Sequence, residues 1–127
     1  MIDLTELKES LRLLYATVGP EIPAIGMIGL KLVDVIEDIC EERDPTEDLQ
    51  HISRFAHHTV LAAMIDRATI LDLPGTVNDI KLAISVQGTW REKKLVYLKA
   101  IANAYRALAE KTGCEYPKVV TADGTVL

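Results

Sequence analysis

The sequence is poor in residues and runs that mark several common protein classes. Two of the 127 residues are cysteines, Cys40 and Cys114, and neither lies in a CxxC or a cysteine–histidine spacing. We therefore expect free thiols rather than a disulfide framework or a zinc site. Aromatic residues make up 5%, so aliphatic side chains must fill the core. The most apolar run, Ile22 to Leu30, is too short for a membrane span of about 20 residues, and we expect no membrane partner.

Familiar catalytic and nucleotide-binding motifs are also missing. The chain contains no P-loop, no dinucleotide-binding glycine fingerprint, no GxSxG and no HExxH, which removes the usual signatures of several enzyme classes. The first ten residues include Asp3, Glu6 and Glu9 without a basic segment, so no secretory signal is indicated. We expect a cytoplasmic protein, not an enzyme, with no catalytic residues and no cofactor.

The composition that remains is that of a single globular domain. Hydrophobic residues make up 49%, charged residues 26%, and the net charge is −5. This balance excludes a disordered or low-complexity chain. The negative charge counts against a general nucleic-acid coat, which needs excess lysine and arginine.

Apolar residues recur at helical spacings through most of the chain and predict an all-α bundle of four to five helices over residues 1–113. The first predicted helix runs from Leu4 to Val18, and the second begins between Glu21 and Ala24 and ends at Arg43. The third begins at Asp44-Pro45 and ends at Leu71. The fourth covers Val77 to Val86 and the fifth Thr89 to Thr112. In the second helix a wide apolar face, including Ile28, Val33, Ile36 and Ile39, is expected to be buried. In the fifth, Leu95 and Leu98 are expected to face inward, and Thr89-Trp90-Arg91-Glu92 is a capping-box pattern.

The last segment, residues 114–127, changes character. Two β-favouring stretches, Val119-Val120-Thr121 and Thr125-Val126-Leu127, flank the turn signal Ala122-Asp123-Gly124. This pattern predicts a short C-terminal β-hairpin, with an extended tail as the alternative.

Two apolar features favour self-association. The leucines Leu4, Leu7, Leu11 and Leu14 are spaced three or four residues apart and form a heptad-like seam. Gly26 and Gly29 lie inside the second helix, where glycine is unfavourable by about 1 kcal/mol relative to alanine. Either another helix approaches closely at these glycines, or the helix begins after them.

Charge is distributed unevenly along the chain. Residues 1–48 hold 12 acidic and 4 basic side chains, whereas the rest holds 7 acidic and 10 basic ones. The two regions would attract each other either within one bundle or between subunits, as a head-to-tail contact that can close into a ring. A third interpretation is that the basic fifth helix binds nucleic acid phosphates through Arg91, Lys93, Lys94 and Lys99. A helix-turn-helix over Val77 to Tyr97 fits less well, because Ala83 and Gly88 are five rather than four residues apart.

One group of polar residues suggests metal chemistry. Carboxylates and histidines on facing helices can hold divalent metals in a bundle, and the candidates here are Glu37, Glu41, Asp48 and His51. The alternative function that follows is an all-α, magnesium-dependent nucleotide phosphohydrolase.

The order of helices followed by Pro117-Lys118-Val119 and an Asp123-Gly124 turn resembles phage small terminase subunits and other phage assembly proteins over the last third of the chain. That resemblance implies an oligomeric helical protein of virion assembly or DNA packaging, present in the host cytoplasm or the virion. Taken together, the sequence predicts a non-catalytic assembly protein that forms homo-oligomers, binds a protein partner and has nucleic acid as a further candidate partner.

Overall fold

The computed structural model describes the backbone of residues 5–18, 22–121 and 123–127, and the side chains of residues 7–14, 28–121 and 123–127. The helices over these residues are α1 (Thr5–Val18), α2 (Ile22–Cys40), α3 (Thr46–Ile70), α4 (Pro74–Ile84) and α5 (Trp90–Thr112). The predicted all-α class is confirmed. Each helix in this described part is too short or too polar to cross a bilayer.

The long helix α3 organises the fold, because it contacts α1, α2, α4 and α5. Its N-terminal half contributes Ile52 and Ala56 to a small apolar cluster with α1 and α2. Its C-terminal half contributes Val60, Leu61 and Met64 to a larger cluster with α4, α5 and the tail. Helix α1 also contributes to both, through Leu7 and Leu14 in the smaller cluster and Leu13 in the larger one, so α1 and α3 together join the two clusters.

Both ends of α5 follow the sequence pattern closely. The Thr89 hydroxyl accepts a hydrogen bond from the Glu92 amide at 3.3 Å, and the Glu92 carboxylate accepts one from the Thr89 amide at 3.0 Å. This is the predicted capping box, which satisfies amides that the first turn leaves unpaired. At the other end Gly113 adopts the left-handed conformation, with φ of 74°, in which glycine carries no Cβ penalty.

Loss of the cap should therefore be measurable as a loss of stability. We expect Thr89→Ala to lower the free energy of unfolding by about 1 kcal/mol, the usual effect of removing an N-cap hydroxyl. The matched control is Thr69→Ala, since the Thr69 hydroxyl only bonds the Ile65 carbonyl within its own helix. Urea unfolding of both variants at one protein concentration makes the comparison, and equal effects would contradict the capping role.

The junctions before α3 and α4 differ from their predicted positions. Helix α3 begins at Thr46, one residue later than predicted, and the Asp44 carboxylate accepts a hydrogen bond from the Thr46 amide at 3.0 Å. Helix α4 begins at Pro74, so the predicted start at Val77 with a Thr76 cap was wrong. Proline fits the first position of a helix because its missing amide hydrogen has no helical partner there.

The tail after α5 packs against the bundle in an extended form. Among the described residues no β-strand is formed, and a single antiparallel bridge joins Val120 to Val126. The predicted β-hairpin is therefore not shown, because one bridge does not extend into paired strands. Val119 is buried in the larger cluster, and the Arg12 guanidinium donates to the Lys118 carbonyl at 3.0 Å, so the tail also reaches α1.

Candidate functional site

The outer side of α2 carries large apolar side chains that the described part of the chain leaves exposed. Leu30, Val33, Ile36 and Ile39 are 66%, 51%, 58% and 45% exposed. Among the described side chains of this helix, residues 28–40, Ile28 and Val35 are the buried ones, and both belong to the smaller cluster. The prediction that the wide apolar face of the second helix is buried was therefore wrong for Val33, Ile36 and Ile39. We refer to Leu30, Val33, Ile36 and Ile39 as the α2 apolar face.

The exposed apolar residues of α2 follow one another at steps of three. Because three residues turn the helix by about 300°, Leu30, Val33, Ile36 and Ile39 form a broad strip that winds part of the way round α2 rather than a narrow seam. Gly29 is exposed, and within the described residues no atom outside its own helix lies within 4 Å of where a Cβ would be. Of the two explanations offered for the glycines, a helix that begins after them is wrong, because α2 begins at Ile22. A close helix approach at Gly29 is not made inside the described part of this chain. The side-chain surroundings of Gly26 lie outside the described residues.

Acidic side chains border the α2 apolar face, and their ion pairs are local. Asp34 lies 3.6 Å from Lys31 one turn away, and the Arg43 guanidinium bonds Asp38 at 2.9 Å and also contacts Glu41. Within the described residues α2 and α5 do not contact each other. The acidic region on α2 is therefore not packed on the basic helix of its own chain.

The basic helix α5 offers the opposite charge around another exposed apolar residue. Leu95 is 46% exposed, so the prediction that it faces inward was wrong. Together with Arg91, Lys94 and the tail residue Leu127, it lines an open groove of about 390 Å³ between α5 and the tail. We refer to this as the α5–tail groove. Lys99 is exposed one turn after Leu95. Lys93 is half-buried, and burial together with the nearby charges of Arg54 and Lys93 lowers the pKa of His58.

The structure therefore brings together only some of the basic side chains that were predicted to bind nucleic acid. Arg91 and Lys94 share the α5–tail groove, and Lys93 lies on the side of α5 that faces α3. Asp123 also lines the groove, and hydrogen bonds from Thr121 and Thr125 lower the pKa of its carboxyl to about 2. A carboxylate in the groove, already bonded to its neighbours, makes this surface mixed in charge rather than uniformly basic.

The four residues predicted as a metal set are not gathered at one point. Across the described residues no group of three or more histidine, cysteine, aspartate or glutamate side chains is arranged to hold a metal ion. Asp48 is hydrogen-bonded to Asp38, which raises the pKa of Asp48, while the same bond and Arg43 lower the pKa of Asp38. His51 lies 3.7 Å from Glu47 of its own helix. Glu37 on α2 and Glu41, directly after it, are both exposed.

The leucine seam of α1 is used within the chain. Leu7 and Leu14 are buried in the smaller cluster and Leu11 packs against it, while Leu4 lies outside the described residues. Beside them the Ser10 and Ser53 hydroxyls share a buried hydrogen bond of 2.8 Å that joins α1 to α3. Participation of the seam in a subunit contact stays a prediction, and the larger apolar surface open to a partner lies on α2.

Sequence reasoning missed the α2 apolar face as a surface, because periodicity marks apolar residues without telling which of them find a partner in the same chain. The available signal was the breadth of the apolar face, which exceeds what one neighbouring helix covers.

Compared with known proteins, the chain matches no family model, no curated protein and no solved structure.

Proposed function

We propose that this chain is a non-catalytic assembly protein that binds further copies of itself. The observation that carries the proposal is the α2 apolar face, whose side chains are about half or more exposed. Soluble monomers rarely expose contiguous apolar patches of this kind, and such patches commonly mark interaction sites. Burying several large aliphatic side chains is the main favourable term in helix–helix association.

Charge favours the α5–tail groove of a second copy as the surface that covers the α2 apolar face. Glu37 lies on α2 and Glu41 directly follows it, with Asp34 next to the apolar side chains. Arg91 and Lys94 border Leu95 and Leu127 in the groove. Each copy thus carries both halves of a contact that is apolar at its centre and opposite in charge at its edge. Complementary charges of this kind steer association and fix its orientation.

The contact is heterologous, because the two surfaces are different parts of the same chain. A symmetric contact between two parallel α2 helices would bring the acidic C-terminal halves near each other, and like charges at an interface oppose association. Heterologous contacts repeat from copy to copy and close into a ring when the rotation permits it. We therefore propose a closed ring rather than a two-fold dimer.

The setting that we propose is virion assembly or DNA packaging in a phage-infected cell. It rests on the resemblance of the C-terminal third to phage small terminase subunits and other phage assembly proteins. Nucleic acid is the competing occupant of Arg91 and Lys94. Because phosphate contacts release counterions, duplex DNA binding at these residues would fall steeply with salt.

A charge-reversal pair tests the heterologous contact. We expect Glu37→Lys and Arg91→Glu each to lower the fraction of oligomer, because each places like charges at the interface edge. The double variant again has opposite charges at the two positions, now positive at position 37 and negative at position 91, so it should recover the oligomer. A glutamate at position 91 lies in the first turn of α5, where negative charge is favourable, so loss of assembly would not reflect loss of the helix. Light scattering after gel filtration gives the mass of each variant.

The control for this experiment is Lys81→Glu on α4, which changes charge equally at an exposed site outside both surfaces. It should leave the mass unchanged. Additive losses in the double variant, without recovery, would contradict the pairing of α2 with α5. Unchanged mass in both single variants would remove these charges from the contact altogether.

A further inference from the structure

A second groove lies between α2 and α3, and its lining differs from that of both surfaces above. It has a volume of about 470 Å³, which lies in the range of pockets that hold small organic molecules. Its apolar lining is Ile28, Ile52 and Phe55. We refer to it as the α2–α3 groove.

All four polar side chains of the α2–α3 groove are cationic or can take up a proton. They are Lys31 from α2 and His51, Arg54 and His58 from α3. The lining contains no acidic side chain among the described residues, although Asp34 lies 3.6 Å from Lys31 and Glu47 lies 3.7 Å from His51. These two pairs are solvent-exposed and are therefore weak and easily replaced by another anion. The groove thus combines an apolar floor with positive charge that is not fully neutralised.

Neighbouring groups keep this positive charge in place. The Arg54 guanidinium lies 5.7 Å from the centre of the Trp90 ring, a cation–π distance at which its amino groups can still donate hydrogen bonds. His58 packs edge-on against Tyr97 with the ring centres 5.1 Å apart. Burial, Arg54 and Lys93 lower the pKa of His58, so the permanent charges are those of Lys31 and Arg54.

We propose that the α2–α3 groove binds a medium-chain carboxylate, with the carboxylate held by Lys31 and Arg54 and the alkyl chain packed along Phe55, above the buried Ile28 and Ile52. The lining on α3 runs from His51 to His58, a rise of about 10 Å, which suits an extended chain of roughly octyl to decyl length. Guanidinium and ammonium groups form charge-assisted hydrogen bonds with carboxylates. This site is independent of the proposed self-association, which uses the α2 apolar face and the α5–tail groove.

Decanoate is the probe, and Trp90 reports its binding. Trp90 is the only tryptophan of the chain, and it contacts Arg54 directly, so a carboxylate on Arg54 should change its fluorescence. We expect saturable binding of decanoate below its micelle-forming concentration. Acetate lacks the chain and decanol lacks the charge, so each should bind at least tenfold more weakly.

Two kinds of variant locate the ligand. Lys31→Gln should weaken decanoate binding about tenfold, since a hydrogen bond to a charged group contributes about that factor, and it leaves the surroundings of Trp90 unchanged. Phe55→Glu places a negative charge in the lining and should abolish binding, while Phe55 is exposed enough for the fold to tolerate the change. Titration calorimetry provides a second readout that does not depend on Trp90. Lys81→Gln, on α4, is the matched control and should bind as the original chain does.

Several results would overturn the proposal. Decanol binding as tightly as decanoate would remove the role of the cations, and acetate binding as tightly would remove the role of the apolar floor. Unaltered affinity in Lys31→Gln and Phe55→Glu would place the ligand elsewhere. A change in Trp90 emission with protein concentration alone, blocked by Phe55→Glu, would identify a second copy of the chain as the occupant of the groove.

Discussion

Replacement of Ile36 by lysine is expected to convert the oligomer into a folded monomer of 14.0 kDa. Ile36 is 58% exposed on the α2 apolar face, so the change removes little packing within the chain. In the proposed assembly the lysine would lie at the apolar centre of the contact, near Leu95 and Leu127, and would have to lose its water. Central apolar residues of an interface typically contribute about 2 kcal/mol or more, which corresponds to roughly a 30-fold weaker association.

The matched control is Ile70→Lys. Ile70 is also an exposed isoleucine on a helix, at 82%, but it lies at the C-terminal end of α3, outside both proposed surfaces. Lysine is favourable near a helix C-terminus, so this variant should fold and assemble normally. Sedimentation velocity of the two variants at equal concentration decides between them. Equal behaviour of Ile36→Lys and Ile70→Lys would show that the α2 apolar face has no special role.

Replacement of Leu61 by alanine is expected to have the largest effect on stability. Leu61 is fully buried in the larger cluster, on the helix that contacts all four others. Truncation of such a leucine removes buried methyl groups and leaves a cavity, at a cost of about 3 kcal/mol in the free energy of unfolding. That loss is a large fraction of the stability of a small domain.

Leu82→Ala is the comparison for this effect. Leu82 is 66% exposed on α4, so its truncation should change the free energy of unfolding by no more than about 0.5 kcal/mol. Urea unfolding should be measured at one fixed protein concentration, because self-association stabilises the folded state by mass action. If both variants lost the same free energy, the position of the core around α3 would be wrong.

The sequence predicted local structure best where the signals are short-range. Thr89, Glu92 and Gly113 mark the ends of α5 because capping depends on a few neighbouring backbone groups. The start of α4 was predicted at Val77, three residues after its actual start at Pro74. A proline ends one helix and equally well begins the next, and only the packing of α4 on α3 and α5 decides where the new helix starts.

The candidate surfaces were harder to predict, because exposure is a property of the whole fold. Ile36 and Leu95 belong to apolar patterns that also contain buried residues, and no local feature separates Ile36 from Val35 or Leu95 from Leu98. The sequence showed that charge is distributed unevenly, but it did not show which groups the acidic and basic regions contact. The structure places α2 and α5 apart and pairs Asp38 and Asp34 with nearby basic residues. This removes direct packing of the two helices within one chain, while contact between subunits and phosphate binding stay predictions.

The most direct test of the central claim is the mass of the unaltered protein in solution, measured by light scattering over a range of concentrations at low and high salt. The account predicts a single closed oligomer at low salt that loses subunits as salt screens the charges between Glu37 or Glu41 and Arg91 or Lys94. A monomer of 14.0 kDa at every concentration and both salt levels would contradict self-association through the α2 apolar face.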